Sequence, residues 1–256
     1  MRVDRIIGIA MAMVALATAT VGCSSSGDGL TRVRAVVAGE NTLSIWNDTI
    51  TTRGVVVYFH GLDRDETILE MDESHRELIR RLTDAGYAVV ASRAGGNAYG
   101  NRESQDDYAE LAVTAVADHR VSDVFFLAES MGTVAAVNLM AKRPDLRPRG
   151  LAAIGPALNL AAVADDYRSS LLGANPDVSE TDPMRLPVES LAGQKVRFYA
   201  SPDDVLVPTA SNADAFRARF GSVADVSIVE CSGRHLNSSC VNGEDVVSWF
   251  SMIAPW

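Results

Sequence analysis

Ser130, His235 and the neighbouring carboxylates Asp203 and Asp204 are the residues of this 256-residue chain whose types and surroundings suit attack on an acyl carbon. Ser130 stands in Leu127-Ala128-Glu129-Ser130-Met131-Gly132, between a predicted strand and a predicted helix. A serine lifted onto a sharp strand-to-helix turn needs small residues two before and two after it, because the turn crowds the backbone. Ala128 and Gly132 supply them, although the commoner pattern has Gly at both places. The plainer reading makes Ser130 a helix cap in an ordinary turn. A nucleophilic serine also needs a base, usually a histidine held by a carboxylate. Of the four histidines, His60 ends the run Val55–Phe59, His75 lies in a solvated-looking helix start, and His119 is near a helix end. His235 lies in Cys231-Ser232-Gly233-Arg234-His235, just after the last predicted strand. Either aspartate of Ser201-Pro202-Asp203-Asp204 could orient it, and a turn-forming Pro-Asp pair is the alternative.

The elements that must position these residues alternate between strand and helix. Two short strands are expected at Arg32–Val37 and Thr42–Trp46. Val55–Phe59 is continuously apolar, as a strand buried on both faces must be. Further strands are read at Tyr87–Ser92, Val124–Ala128, Gly150–Gly155, Val196–Ala200 and Val226–Val229. Helices are read after a capping box at Ser74-His75-Arg76-Glu77, over 103–118, and over Gly132–Lys142, Ala210–Phe220 and Glu244–Ile253. Such alternation implies a mostly parallel sheet with helices on both faces. Residues 157–190 exceed a short connection and are expected to form a cap or insert over a site. The Gly- and Asn-rich segment Arg93–Asn101 either lines the pocket or only turns the chain, and it lacks dinucleotide-motif spacing.

Together these pieces resemble the α/β-hydrolase family over roughly residues 30–256. The resemblance rests on Ala128-Glu129-Ser130-Met131-Gly132, on His60-Gly61-Leu62 after a central strand, and on Asp204-Val205-Leu206-Val207-Pro208. It implies a triad in the order Ser130, Asp204, His235, with Asp204 chosen over Asp203 by the register of that last motif. It also implies an oxyanion hole from the backbone N–H groups of Leu62 and Met131, with His60 buttressing the loop. The expected chemistry is cleavage of acyl esters through an acyl-enzyme, as in carboxylesterases or lipases, with no metal or organic cofactor. The same triad serves peptidases and other acyl transferases, and the fold also hosts non-catalytic binders.

The N-terminus reads as an export signal over residues 1–23. Arg2 and Arg5 precede an apolar run from Ile6 to Ala19, followed by Thr20-Val21-Gly22-Cys23. That ending resembles the lipobox of bacterial lipoproteins, departing from it at Thr20, and implies lipidation of Cys23 and anchoring in the cell envelope, with ordinary secretion after cleavage nearby or a retained membrane anchor as the alternatives. Residues 24–29 are expected to be a flexible tether. With Cys23 lipidated, Cys231 and Cys240 remain as an even pair, expected as a disulfide in an oxidising compartment, with free thiols as the alternative. A zinc site is not expected, since no ligand-spaced Cys or His pair lies nearby. Asn47-Asp48-Thr49 and Asn237-Ser238-Ser239 match glycosylation sequons that carry no meaning in a bacterial lipoprotein. With 23 Lys+Arg against 33 Asp+Glu, the net charge is −10, so no basic footprint for nucleic acid is expected. An apolar share of 47% excludes a chain that is disordered overall. The expected partners are a small acyl-ester or lipid substrate and a membrane reached through the anchor.

Overall fold

The computed structural model describes residues 22–25 and 29–255. The signal over residues 1–23 lies almost wholly outside them. Its last two residues fall within the first strand, Gly22–Ser25, β1.

Among the described residues, one sheet of nine strands organises the domain. The strands following β1 are β2 (Leu30–Val37), β3 (Glu40–Asn47), β4 (Gly54–Phe59), β5 (Tyr87–Ser92), β6 (Val124–Glu129), β7 (Leu151–Ile154), β8 (Lys195–Ala200) and β9 (Asp225–Glu230). Their spatial order is β1-β2-β3-β5-β4-β6-β7-β8-β9. The pairs β1/β2, β2/β3 and β3/β5 are antiparallel, and every pair from β5/β4 to β8/β9 is parallel. Every residue of β4, β5 and β6 is buried, which explains their unbroken apolar runs.

Among the described residues, six helices cover the sheet: α1 (Glu73–Asp84), α2 (Arg102–His119), α3 (Gly132–Lys142), α4 (Asp165–Ala174), α5 (Ala213–Phe220) and α6 (Gly243–Ile253). Side chains alternate along β4. Val55, Val57 and Phe59 enter the core shared with α2, α3 and α5, whereas Val56 and Tyr58 enter the core shared with α1 and α6. Parallel register sets Phe59 opposite Ala128, so the loops after β4 and β6 leave the same edge together. His60 and Ser130 thus meet at one rim, and the loops after β8 and β9 reach that rim too.

Three expectations are corrected by these elements. The α1 cap is Asp72, whose Oδ1 accepts from the His75 N–H at 3.0 Å and the Ser74 hydroxyl at 2.7 Å. A carboxylate at a helix N-terminus gains from the helix dipole, so it displaces the Ser74 capping box. Glu77 instead pairs with Arg80 and Arg81. Ser24 and Ser25, expected in a tether, pair with Arg32 and Thr31 of β2, because the open edge of β2 offers unpaired backbone groups. The helix read from Ala210 begins at Ala213, after a 3-10 turn over Thr209–Ser211. Asn212 occupies the junction, its side chain accepting from the N–H groups of Leu158 and Asn159.

Candidate active site

Ser130 sits between the end of β6 and the start of α3 with φ +45°, a left-handed conformation that side chains avoid. The strain is held from several sides. The Ser130 N–H donates to the Ile154 carbonyl at 3.0 Å, and the Ser130 carbonyl accepts from Ala157 at 3.1 Å. Gly132 packs so tightly under the loop after β4 that a Cβ there would lie 2.3 Å from the Phe59 carbonyl oxygen and 2.6 Å from that of His60. Gly132→Ala is therefore expected to force the two loops apart. It should destabilise the fold by about 2 kcal/mol or more and disturb Ser130 as well. Denaturant midpoints and fluorophosphonate labelling measured together will check this.

His235 bridges Ser130 and Asp204. Its Nε2 lies 2.8 Å from Ser130 Oγ, and its Nδ1 lies 2.6 Å from Asp204 Oδ2. Asp204 is buried, and its other oxygen accepts from the Leu206 and Val207 N–H groups at 3.0 and 2.9 Å. These bonds fix the carboxylate plane. Asp203 is exposed, so the geometry joins Asp204, not Asp203, to the histidine. The loops bearing Asp204 and His235 are tied to each other by Ser201 Oγ donating to the Gly233 carbonyl at 2.7 Å. Gly155 lies beneath the imidazole, where an added Cβ would approach His235 Cε1 to 3.1 Å.

The Cys231–Cys240 disulfide closes the loop that carries His235, across a Cα separation of 5.1 Å. Closing so short a loop removes limited chain entropy, on the order of 2–3 kcal/mol. Double replacement by serine is accordingly expected to lower the thermal midpoint and to reduce kcat by loosening His235. Differential scanning calorimetry and ester kinetics will check both effects.

The loop after β4 comes close to the serine from the other side. A Cβ on Gly61 would lie 3.5 Å from Ser130 Cβ. His60 is buried, with Nδ1 2.8 Å from the Gly61 carbonyl and Nε2 2.9 Å from the Arg93 carbonyl, so it joins this loop to the segment 93–101. Among the described residues, the backbone N–H groups of Leu62 and Met131 donate to no protein acceptor. Both residues line the cleft, and the N-terminus of α3 begins one residue past Met131.

The cleft holds about 650 Å³ and contains Ser130 and His235. Leu160, Val163 and Tyr167 of the insert form one wall, and Leu206 and Val207 of the acid loop extend it. The insert 157–190 thus folds as α4 plus short 3-10 turns, with its first third against the site. Tyr99, from the Gly-rich segment, also lines the cleft with φ +46°. Sequence reasoning left that segment undecided and missed a second group entirely. His75, read as solvated, is buried, its Nε2 2.8 Å from Oε1 of the buried Glu129. The available signal was Asp72 three residues ahead of His75, a spacing that lets a capping carboxylate reach both backbone and imidazole. His119 is half-buried beside Trp46, and burial holds its pKa below the usual value.

Among the described residues, no group of three or more His, Cys, Asp or Glu side chains is placed to hold a metal, and no helix is long and apolar enough to cross a membrane. The sequence profile of the family described as serine aminopeptidase, S33 matches residues 50–181, just over half of the chain. The chain belongs to that family. It is an α/β-hydrolase-fold serine hydrolase, and the profile covers the loop after β4, the Ser130 turn and most of the insert. No curated protein matches the sequence. Among solved structures, the S33 hydrolase fold is shared by an S-formylglutathione hydrolase from Agrobacterium tumefaciens. That match has a TM-score of 0.68 at 15% identity and covers 91% of this chain and 98% of the other. An esterase of Pyrococcus furiosus matches with a TM-score of 0.65 at 16% identity, covering 88% and 91%. A prolyl endopeptidase matches with a TM-score of 0.64 at 13% identity over 88% of this chain, which spans only 38% of that enzyme. At such identities the likeness is one of fold.

Proposed function

We propose that this S33 hydrolase cleaves acyl esters through a Ser130–His235–Asp204 triad and an acyl-enzyme intermediate. The observation that carries the reading is the bond line from Ser130 Oγ through both nitrogens of His235 to Asp204 Oδ2. His235 Nε2 takes the Ser130 proton as Oγ attacks the acyl carbon. The oxyanion forms against the N–H groups of Leu62 and Met131, at the positive end of α3. His235 returns the proton to the leaving alkoxide, then takes a proton from the water that releases the acid. The apolar wall of Leu160, Val163, Leu206 and Val207 accommodates an aliphatic acyl chain. No step calls on a cofactor.

The family description supports a second reading, in which the scissile bond is an aminoacyl amide. Fluorophosphonate labelling that vanishes in Ser130→Ala tests for an activated serine. Turnover of p-nitrophenyl esters against aminoacyl-p-nitroanilides then separates esterase from peptidase. A folded wild type that neither labels nor cleaves either substrate would sink both readings in favour of a binding role.

We further propose that the chain is exported and lipid-anchored through Cys23, in keeping with the sequence Thr20-Val21-Gly22-Cys23 and the cleft's fit to acyl substrates near a membrane. Incorporation of labelled fatty acid into the wild type, lost in Cys23→Ala, is the expected result. A wild type that takes up no label counts against the anchor.

A further inference from the structure

One buried charged cluster borders the cleft and plays no part in the chemistry above. His75 and Glu129 are nearly inaccessible, with side chains 7% and 1% exposed. His75 Nδ1 faces Asp72 Oδ1 at 2.8 Å and Nε2 faces Glu129 Oε1 at 2.8 Å. A neutral imidazole has only one N–H, so it can satisfy only one of these carboxylates. An imidazolium makes both bonds at once. The other groups near the pair complete the same account. Burial and the nearby Glu129 carboxylate hold the Tyr58 hydroxyl of β4 in its neutral form, well above its usual pKa. On the turn before α1, Glu70 is committed to Arg32 and Arg34, and Glu66 is buried. On α1 itself Glu73 and Glu77 are engaged with Arg76 and with Arg80 and Arg81. The buried residues of α6 are Gly243, Val246, Trp249 and Phe250, none of them charged. Burial alone opposes a charged His75, yet its two carboxylate partners outweigh that cost and raise its pKa to about 9.

Glu129 is the residue immediately before the strained Ser130, and strain of that kind persists only while its flanks are held. The downstream flank is Gly132 against the loop after β4. Resting on the triad reading above, we propose that His75 is a positioning residue for Ser130: its imidazolium clamps Glu129 to the first turn of α1 and neutralises a buried carboxylate beside the forming oxyanion. Removing the His75 proton leaves Glu129 uncompensated in a low-dielectric site. That loosens the upstream flank of the turn and sets a negative charge beside a transition state that is itself gaining one.

The linkage has a definite sign. The folded-state pKa of His75 is raised from 6.5 to about 9, so the pair's stabilisation is complete below the lower value and fades as pH rises through about 9. Activity should follow it, with kcat/KM falling on the alkaline side near pH 9.

The test is a pH profile of kcat and KM for the wild type, His75→Gln, Glu129→Gln and the double variant. His75→Gln should lower kcat about 30-fold with KM within about twofold, because the loss is confined to the transition state. Its alkaline limb should vanish, since the titrating group is gone. Adding Glu129→Gln to it removes the orphaned charge and should recover kcat at least about tenfold over His75→Gln alone. If His75→Gln does not fold, Glu129→Gln carries the test by itself, because it keeps the α1 cap and an acceptor for Nε2, and its alkaline limb should disappear. A His75→Gln enzyme retaining more than half of kcat, or a limb that persists in Glu129→Gln, overturns the assignment. Fluorophosphonate labelling of the wild type reports on the triad independently, so failure of that reading is distinguishable from failure of this one.

Discussion

Ser130→Ala should lower kcat for an ester substrate by about 10⁵-fold or more while the thermal midpoint stays close to that of the wild type. The size follows from what the hydroxyl does. It supplies both the bond to carbon and the proton that His235 accepts across 2.8 Å. With Oγ gone, the Leu62 and Met131 amides still polarise the carbonyl, so a residual rate above background water hydrolysis should persist. Stability is spared because the left-handed turn is held by backbone bonds to Ile154 and Ala157 and by the fit of Gly132, none of which uses the side chain. Single-turnover kinetics on purified protein, with a melting curve alongside, is the measurement. Retention of more than about one per cent of kcat would place the nucleophile elsewhere, since loss of a triad serine leaves far less.

Asp204→Asn should cost about 10⁴-fold in kcat without changing the shape of the site. The asparagine oxygen can still accept from the Leu206 and Val207 amides, so the loop keeps its conformation. Its NH₂ group then faces His235 Nδ1, where Oδ2 had accepted at 2.6 Å. A donor facing Nδ1 forces the ring proton onto Nε2, towards Ser130, and the base has no lone pair left for the serine proton. Asp203→Asn is the matched control. Asp203 is exposed, and its replacement should leave kcat/KM unchanged. Fluorophosphonate labelling rates of the two variants side by side will separate them, and equal rates would remove Asp204 from its proposed role.

The parallel half of the sheet was legible in the sequence because burial on both faces leaves an apolar run with no alternation. Val55–Phe59 and Tyr87–Ser92 are examples. The Ser130 turn was legible for a steric reason, since the close approach of Phe59 and His60 carbonyls admits only glycine at 132. The separate segments bearing Ser130, Asp204 and His235 could be paired only by resemblance, because their hydrogen bonds span 105 and 31 positions. What escaped reading depends on long-range contact with no local signature. Nothing in the sequence near His75 announces that Glu129, 54 residues away, will bury against it. A helix start with flanking acids reads as solvated until the sheet beneath is known. The insert was equally opaque, since α4 buries only Leu171 and owes its place to partners such as Tyr99 and Met131. The Ser74-to-Glu77 spacing likewise fitted a capping box that a carboxylate two residues upstream displaced.

The strand that leads to His235 is the least sheltered of the parallel half. β9 pairs on one side only, with β8, and none of its six residues is fully buried. Segments with few buried apolar contacts open at lower free energy than the body of a domain. His235, five residues beyond this strand, therefore depends on an edge of the sheet that readily exchanges its amide protons with solvent. Heat inactivation then becomes a fraying event at one border, distinct from cooperative melting of the interior strands. The stitches across that border are the Cys231–Cys240 bond, the Ser201 contact to Gly233, and Asp245 of α6 held by Arg197 and Tyr199 of β8. Durability at high temperature is governed by those few links, and lengthening the lifetime of the catalyst means reinforcing an edge while leaving the core as it is.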